Sequence, residues 1–256
     1  MGESVRIDHE GDLAVLTLNR PEAGNAFSLE MLQAMRDACG GLGSPRAILI
    51  RAEGKHFCVG GDVKAFAAAG EGLPSFLRDA VDAFHVAARA IRAPGVPIVA
   101  AVKGNAAGGG MSLACLADLV VAGPSSRFVF AYSAIGLSPD GSGSWSLPRI
   151  VGTRVALDLF LTNRPVGVDE AKALGIVSRI VDDDQVDAEA RALATQLAAG
   201  PTASFIAGKR LIEATTTLEE ALDLELESMT AMGATSDGQE GVAAFTEKRP
   251  PTFGGR

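Results

Sequence analysis

Ala107-Gly108-Gly109-Gly110-Met111-Ser112-Leu113-Ala114-Cys115-Leu116-Ala117-Asp118 follows the apolar run Ile98-Val99-Ala100-Ala101-Val102 in this chain. The grammar is strand, glycine turn, helix start, with the helix expected over Met111 to Ala117 and the turn over Gly104 to Gly110. The same grammar occurs upstream, where Ala47-Ile48-Leu49-Ile50 leads into Val59-Gly60-Gly61-Asp62. Glycine lets the backbone approach a ligand closely, and N–H groups at a helix start point outward with a favourable dipole. Two such turns brought together can donate to one oxygen, which is the construction of an oxyanion hole. Taken alone, each turn favours the plainer reading, in which glycines only pack a helix on a strand. A dinucleotide fingerprint is disfavoured, because Gly104-Asn105-Ala106-Ala107-Gly108 lacks the Gly-x-Gly-x-x-Gly order and no acidic residue follows at the expected distance.

Working outward, Val5 and Ile7 pair with Leu13 to Leu18 around the turn Glu10-Gly11-Asp12, a predicted hairpin. Ser28 is a good N-cap for an amphipathic helix through Cys39. Pro74 opens a helix to about Arg92, with Ala67 to Pro74 as a loop before it. Val120-Val121 and Phe128 to Phe130 supply further short strands. After Ile150 helices dominate: Thr153 to Leu161, Asp169 to Leu174, Val186 to Ala199, Thr202 to Thr215, Leu218 to Met232 and Ser236 to Phe245, with one strand at Val177 to Val181. Alternating short strands and helices predict an α/β fold. A soft boundary near residue 196 separates a core, residues 1–195, from a helical region, residues 196–256.

The 256 residues are 47% apolar and 21% charged, the composition of a globular protein. One Trp, one Tyr and a net charge of −8 argue against nucleic acid or an anionic membrane as partner. An anionic ligand is still compatible, because a few local Lys and Arg residues can reverse the sign at one site. Cys39, Cys58 and Cys115 are scattered, and with His9, His56 and His85 they show no metal-ligand spacing. Met1 to Asp8 carries no signal-peptide pattern, and Val96 to Val102 is far too short to span a membrane, so a cytoplasmic protein is expected.

The glycine-rich stretch 107–118 resembles the central motif of the crotonase (enoyl-CoA hydratase/isomerase) family. So do Leu18-Asn19-Arg20-Pro21 with Asn25-Ala26, the stretch Phe57-Cys58-Val59-Gly60-Gly61-Asp62, and the C-terminal Gly241-Val242-Ala243-Ala244-Phe245-Thr246-Glu247-Lys248-Arg249-Pro250. The resemblance covers essentially the whole chain in order. It implies a crotonase/ClpP-like spiral of ββα turns, a C-terminal helical region that trimerises, and an acyl-CoA ligand whose thioester oxygen is bound by the N–H groups of Gly61 and Gly109.

Hydratases of the family place two glutamates around a water, at positions matched here by Ser112 and Tyr132. Neither is a carboxylate, so the resemblance implies that the usual hydration machinery is missing. Asp140 lies in Pro139-Asp140-Gly141, which by turn statistics alone reads as a surface turn. The stretches Phe128 to Ser133, Gly136 to Asp140 and Trp145 to Arg149 are similar to the phenylacetate-pathway ring-1,2-epoxyphenylacetyl-CoA isomerases, which use an aspartate at the matching position as a proton shuttle. An isomerase with Asp140 as general acid/base is therefore expected. A rival resemblance, at Asp140, His85 and Leu161-Thr162-Asn163-Arg164, is to the 4-chlorobenzoyl-CoA dehalogenases, in which the aspartate is the nucleophile and the histidine activates water. A lone helical histidine such as His85 is more often a packing residue. Other classes are a non-catalytic crotonase-fold binding protein, and a serine hydrolase built on Ser142 or Ser144, which lacks the Gly-x-Ser-x-Gly elbow.

By resemblance, Gly24, Ala26, Gly61, Asp62 and Val63 line the CoA path, and Phe245 and Lys248 reach the CoA of a neighbouring subunit. A homotrimer or a dimer of trimers is implied. No cofactor or metal is implied, since CoA belongs to the substrate. Asp182-Asp183-Asp184 reads as a solvated loop before a helix, and Leu222, Leu226 and Met229 share a face expected to be core or inter-subunit contact.

Overall fold

Leu13-Ala14-Val15-Leu16-Thr17-Leu18 is buried at every position, so its strand must be covered on both faces. Continuous apolar runs of this kind belong to sheets sandwiched between helices. The computed structural model describes residues 3–214 and 216–255, and it shows that arrangement. Strands β1 (Val5–Glu10), β2 (Leu13–Leu18), β3 (Ala47–Ala52), β4 (Ile98–Val102), β6 (Leu119–Ala122) and β9 (Arg179–Ile180) form one sheet in the order β1-β2-β3-β4-β6-β9. Only β1 runs antiparallel to its neighbour, through the expected hairpin, whose Gly11 has a positive φ of 60°. A smaller sheet pairs β5 (Asn105–Ala107) with β7 (Arg127–Val129), and β7 with β8 (Val166–Gly167).

Alternate residues of the large sheet feed two separate cores. Ala14, Leu16, Ile48, Ile50, Ala100 and Val102 face α1 (Leu29–Cys39) and α3 (Leu73–Arg92), which contribute Met31, Met35, Phe84, Ala87 and Ile91. Leu13, Val15, Leu49, Val99 and Val121 face α8 (Val186–Ala198), through Val186, Ala190, Leu193 and Ala194. The period of 2 in the strands sorts the side chains between these two faces. Ser28 caps α1 as expected, its Oγ accepting from the Met31 N–H at 3.2 Å.

Several boundaries differ from expectation, each for a tertiary reason. The helix expected from Met111 is α4 (Gly109–Cys115), because glycines 109 and 110 are in its first turn. A Cβ on Gly110 would lie 2.4 Å from the Cys58 carbonyl oxygen, so close packing requires the glycine here. The turn before it contains β5. The loop expected over Ala67 to Pro74 is helical: α2 (Val63–Ala69) and a 3-10 turn, Gly70–Gly72, run directly into α3. The expected boundary near residue 196 falls inside α8, which packs on the sheet.

The remaining helices are α5 (Gly143–Val151), α6 (Thr153–Thr162), α7 (Val168–Ala173), α9 (Thr202–Glu213), α10 (Leu218–Gly233) and α11 (Ser236–Glu247). Thr215, expected at the end of α9, lies outside the described residues, as do Met1 and Gly2. Helix α10 buries none of its residues, and Leu226 and Met229 are 69% and 77% exposed, so that face is not core of this chain. Asp183 is more than solvated: its Oδ1 accepts from the Ser125 N–H (3.2 Å) and hydroxyl (2.8 Å), tying the loop before α8 to the one before β7. No helix among the described residues is long and apolar enough to cross a membrane.

Asn25 locks the entry to α1. It is fully buried with φ 57°; its Nδ2 donates to the carbonyls of Glu53 (3.0 Å) and His56 (2.8 Å), and its Oδ1 accepts from the Arg20 N–H (2.8 Å). Replacing it by alanine strands three partly buried polar groups and puts a side chain with no local hydrogen bond in a left-handed conformation. An Asn25→Ala variant is expected to lose about 3 kcal/mol of stability, read from urea denaturation midpoints at unchanged m-value.

Candidate active site

The two glycine turns arrive side by side because the segments leading to them pair. Cys58 bridges Ala106: its N–H donates to the Asn105 carbonyl (3.0 Å) and its carbonyl accepts from the Ala107 N–H (2.9 Å). The next residues then touch with no side chain between them. A Cβ on Gly60 would lie 3.0 Å from the Ala107 carbonyl oxygen, and one on Gly108 would lie 3.7 Å from Gly60 Cα. Gly61 is set by a second bridge, in which Phe27 donates to the Gly60 carbonyl (2.8 Å) and accepts from the Asp62 N–H (3.0 Å). Gly109 is the first residue of α4, where N–H groups have no intrahelical acceptor. Among the described residues neither the Gly61 nor the Gly109 N–H has an acceptor, and two backbone donors on adjacent turns are what binding a carbonyl oxygen requires.

One helical turn after Gly109 stands Ser112, fully buried. Its Oγ lies 2.8 Å from the Tyr132 hydroxyl, which donates to Asp140 Oδ1 at 2.6 Å. The Tyr132 ring is held edge-on to Phe130, centroids 5.2 Å apart. Asp140 sits just ahead of α5, its carbonyl accepting from the Gly143 N–H at 2.9 Å. Left-handed backbone follows at Gly141 (φ 57°) and Ser142 (φ 77°). At Ser142 this conformation costs on the order of 1 kcal/mol, and such strain clusters at functional sites. Phe84 fills the space a Gly141 side chain would need, its ring 2.0 Å from that Cβ position, and the same ring lies 3.4 Å from the Cβ position of Gly109. Phe84 therefore spans from one donor turn to the aspartate loop.

His85, next on α3, accepts at Nε2 from the Gly141 N–H (3.2 Å). That nitrogen is unprotonated in this geometry, and its lone pair is already engaged. Burial pushes the Asp140 carboxyl up from the ordinary aspartate range; the Tyr132 hydrogen bond, and to a lesser degree the neighbouring His85, oppose that shift. Burial, with the Asp140 charge behind it, raises the Tyr132 phenol strongly, so it keeps its proton. The Cys58 thiol is pushed up to about 12 by burial, which makes it inert as a nucleophile beside the turn. Ser142 Oγ pairs with Ser146 Oγ at 3.1 Å and makes no histidine contact, so the serine-hydrolase arrangement is absent among the described residues.

The five residues expected to line the CoA path, Gly24, Ala26, Gly61, Asp62 and Val63, lie on one strip. Val59 donates to the Gly24 carbonyl (3.1 Å), and the Phe27–Gly61 bridge sets Ala26 beside Asp62 and exposed Val63. Asp62 has a structural duty too: it caps α2 through the Ala65 N–H (3.3 Å) and pairs with Arg20 (3.2 Å). Phe245, 87% exposed, and Lys248, which ends α11 in a left-handed conformation, lie apart; no hydrogen bond or ion pair joins them to this strip among the described residues. The contacts of Phe84 and Arg20 are not legible in the sequence: Phe84 is signalled only by its place beside His85, and Arg20 only as part of the Leu18-Asn19-Arg20-Pro21 motif.

Residues 8–256 match the enoyl-CoA hydratase/isomerase family. The chain belongs to that family. A Rhodobacter capsulatus protein named "probable enoyl-CoA hydratase" is 39% identical over 256 residues, covering 99% of this chain and 98% of its own. The 1,2-epoxyphenylacetyl-CoA isomerase of Escherichia coli is 35% identical over 254 residues, covering 96% and 97%. A solved enoyl-CoA hydratase from Polaromonas superposes with a TM-score of 0.90 at 33% identity, covering 97% of this chain and 99% of that one. The crotonase fold and an acyl-CoA substrate follow, and family members carry both hydratase and isomerase names.

In this enoyl-CoA hydratase/isomerase family member the half-buried Asp140 opposes stability at neutral pH. Its folded-state carboxyl binds a proton more readily than the unfolded one, so its ionisation weakens the fold as pH rises through the unfolded and then the folded pKa. Asp140→Asn is expected to stabilise the protein by about 1 kcal/mol at neutral pH. The gain should shrink as pH falls and Asp140 takes its proton, which denaturation at a series of pH values reads directly.

Proposed function

We propose that the protein is an acyl-CoA isomerase in which Asp140 is the general acid/base and the N–H groups of Gly61 and Gly109 stabilise the thioester enolate. The observation that carries this reading is the environment of Asp140. It is the carboxylate of the Ser112–Tyr132–Asp140 cluster, and the two positions that by resemblance hold glutamates in hydratases bear hydroxyls instead. Hydration needs a base for water and an acid for carbon. Moving a proton between two carbons needs one group that takes it and gives it back. A raised carboxyl pKa favours that reversibility, because it brings the group nearer the operating pH.

The dehalogenase reading is weaker, because the nitrogen of His85 that faces the Asp140 loop is an acceptor for Gly141. It would have to release that loop before activating water. In the proposed enzyme Gly24, Ala26, Asp62 and Val63 line the CoA path, and Phe245 and Lys248 reach the CoA of a neighbouring subunit in a cytoplasmic homotrimer or dimer of trimers. The apolar face of α10 and the exposed Phe245 support such an assembly. No prosthetic group or metal is needed, since CoA arrives with the substrate.

A panel of CoA thioesters, straight-chain 3-enoyl, ring-epoxide phenylacetyl and 4-chlorobenzoyl, followed by mass spectrometry tests the reaction. The expected product has unchanged mass; a gain of water or a release of chloride would overturn the isomerase reading. Asp140→Asn should lower kcat by about 10²–10⁴-fold. Sedimentation is expected to give three or six chains of 26.3 kDa rather than one.

A further inference from the structure

Among the described residues Tyr132 is the only side chain that donates to the Asp140 carboxylate. Its hydroxyl reaches Oδ1 at 2.6 Å, with the Asp140 carbonyl a longer alternative at 3.4 Å; the other support for the carboxylate is Asp140's own main-chain N–H, and no side chain donates to Oδ2. A phenol has one proton. Since Tyr132 gives it to the carboxylate, the 2.8 Å contact with Ser112 Oγ must run the other way, with Ser112 as donor. Two O–H groups therefore point in series at one oxygen: Ser112 to Tyr132, and Tyr132 to Asp140. The titratable groups facing Asp140 from the packed elements are His85 on α3, Cys58 on the first glycine turn and Tyr132 itself. None of these competes for Oδ2, because His85 Nε2 is occupied by the Gly141 N–H.

We propose that Tyr132 is the positioning residue of the site: its hydroxyl, oriented by Ser112, fixes Oδ1 of Asp140 and leaves Oδ2 as the oxygen that carries the proton. This rests on Asp140 being the general acid/base. In the forward step a substrate C–H bond breaks, its electron pair moves into the conjugated thioester enolate, and an O–H bond forms at Oδ2. In the return step that O–H bond breaks, the proton goes to the second carbon and the electron pair forms the new C–H bond. Tyr132 donates to Oδ1 throughout and never transfers its own proton. The benefit is orientational: one oxygen must reach two carbons, and a carboxylate free to rotate would spend time with neither oxygen aimed at them. The edge-on packing of Tyr132 against Phe130 supplies the rigidity behind the hydroxyl.

The chain contains a single tyrosine, which allows a test that leaves the packing intact. Uniform 3-fluorotyrosine labels only Tyr132 and makes its hydroxyl a stronger donor, whereas Tyr132→Phe removes the donor and keeps the ring. The Asp140 titration midpoint is read in the free protein by ¹³C-carboxyl NMR, assigned with Asp140→Asn. It should rise by on the order of one pH unit in Tyr132→Phe and fall in the fluorotyrosine protein. With a straight-chain 3-enoyl-CoA as probe, Tyr132→Phe should lower kcat roughly 10-fold with little change in KM, and its acid limb should move with the midpoint. An Asp140 midpoint that does not move in opposite directions in the two proteins overturns the proposal. If Tyr132→Phe fails to fold, an unshifted midpoint in the fluorotyrosine protein overturns it alone. Should the unmodified enzyme leave the probe and the wider thioester panel unchanged, the isomerase reading fails, while the NMR midpoints still decide the Tyr132–Asp140 link.

Discussion

Gly60 and Gly108 meet backbone to backbone, and the geometry of the site hangs on that meeting. A side chain at Gly60 would crowd the facing turn, since its Cβ would be 3.0 Å from the Ala107 carbonyl oxygen, and the positive φ of 49° at Gly108 disfavours one there. The contact is reached because β3 and β4 are parallel neighbours, Ile48 opposite Ile98 and Ile50 opposite Ala100, so both chains leave the sheet at the same end. Past the sheet, the Cys58–Ala106 bridge keeps them zipped as far as the glycines. The donors of Gly61 and Gly109 are thus placed by main chain alone. A pair of donors fixed in this way needs no reorganisation when charge develops on the bound oxygen.

The acidic half of the site is assembled differently, from side chains, and it works against folding. A carboxylate largely removed from water is destabilising unless it is paired or hydrogen-bonded, and Asp140 has one strong donor rather than a counter-ion. The adjoining left-handed Ser142 adds backbone strain. Both are held by packing: Phe84 occupies the Cβ space of Gly141, and Ser112 and Phe130 crowd the Cβ position of Gly143, at 2.3 and 2.8 Å. The two sheet cores supply the stability that this arrangement draws on.

What could be read from the sequence was whatever is periodic or continuous. The buried runs of β2, β3 and β4, the Ser28 cap and the amphipathic α3 all follow from local pattern. Helix α2 was missed because Ala67-Ala68-Ala69-Gly70 has no apolar stripe, and β5 because its three residues become a strand only through β7 and Cys58. The family resemblance singled out Ser112, Tyr132 and Asp140, but not their hydrogen bonds. Ser112 and Tyr132 are 20 residues apart, and Tyr132 and Asp140 are 8 apart, with no regular spacing linking them. His85 gave no signal of its bond to Gly141, because its partner is a backbone N–H that any residue could offer.

The same frame accommodates relatives named for different reactions, and the chemistry here turns on which atoms face the substrate beyond the donor turns. Under the proposed reading the glycine pair is indifferent to what happens next, since it would stabilise charge on the thioester oxygen however that charge arises. Positions 112 and 132 are not indifferent. As hydroxyls, they form a chain that ends on a carboxylate and spends both of its protons on hydrogen bonds. Such a chain has no spare proton to give and, with the Tyr132 phenol raised by burial, no tendency to lose one. In the proposed enzyme, acid–base capacity is thereby confined to Asp140. Under the proposed reading a proton taken from one carbon has no second group to which it could be relayed, and its shortest route is back to the same substrate.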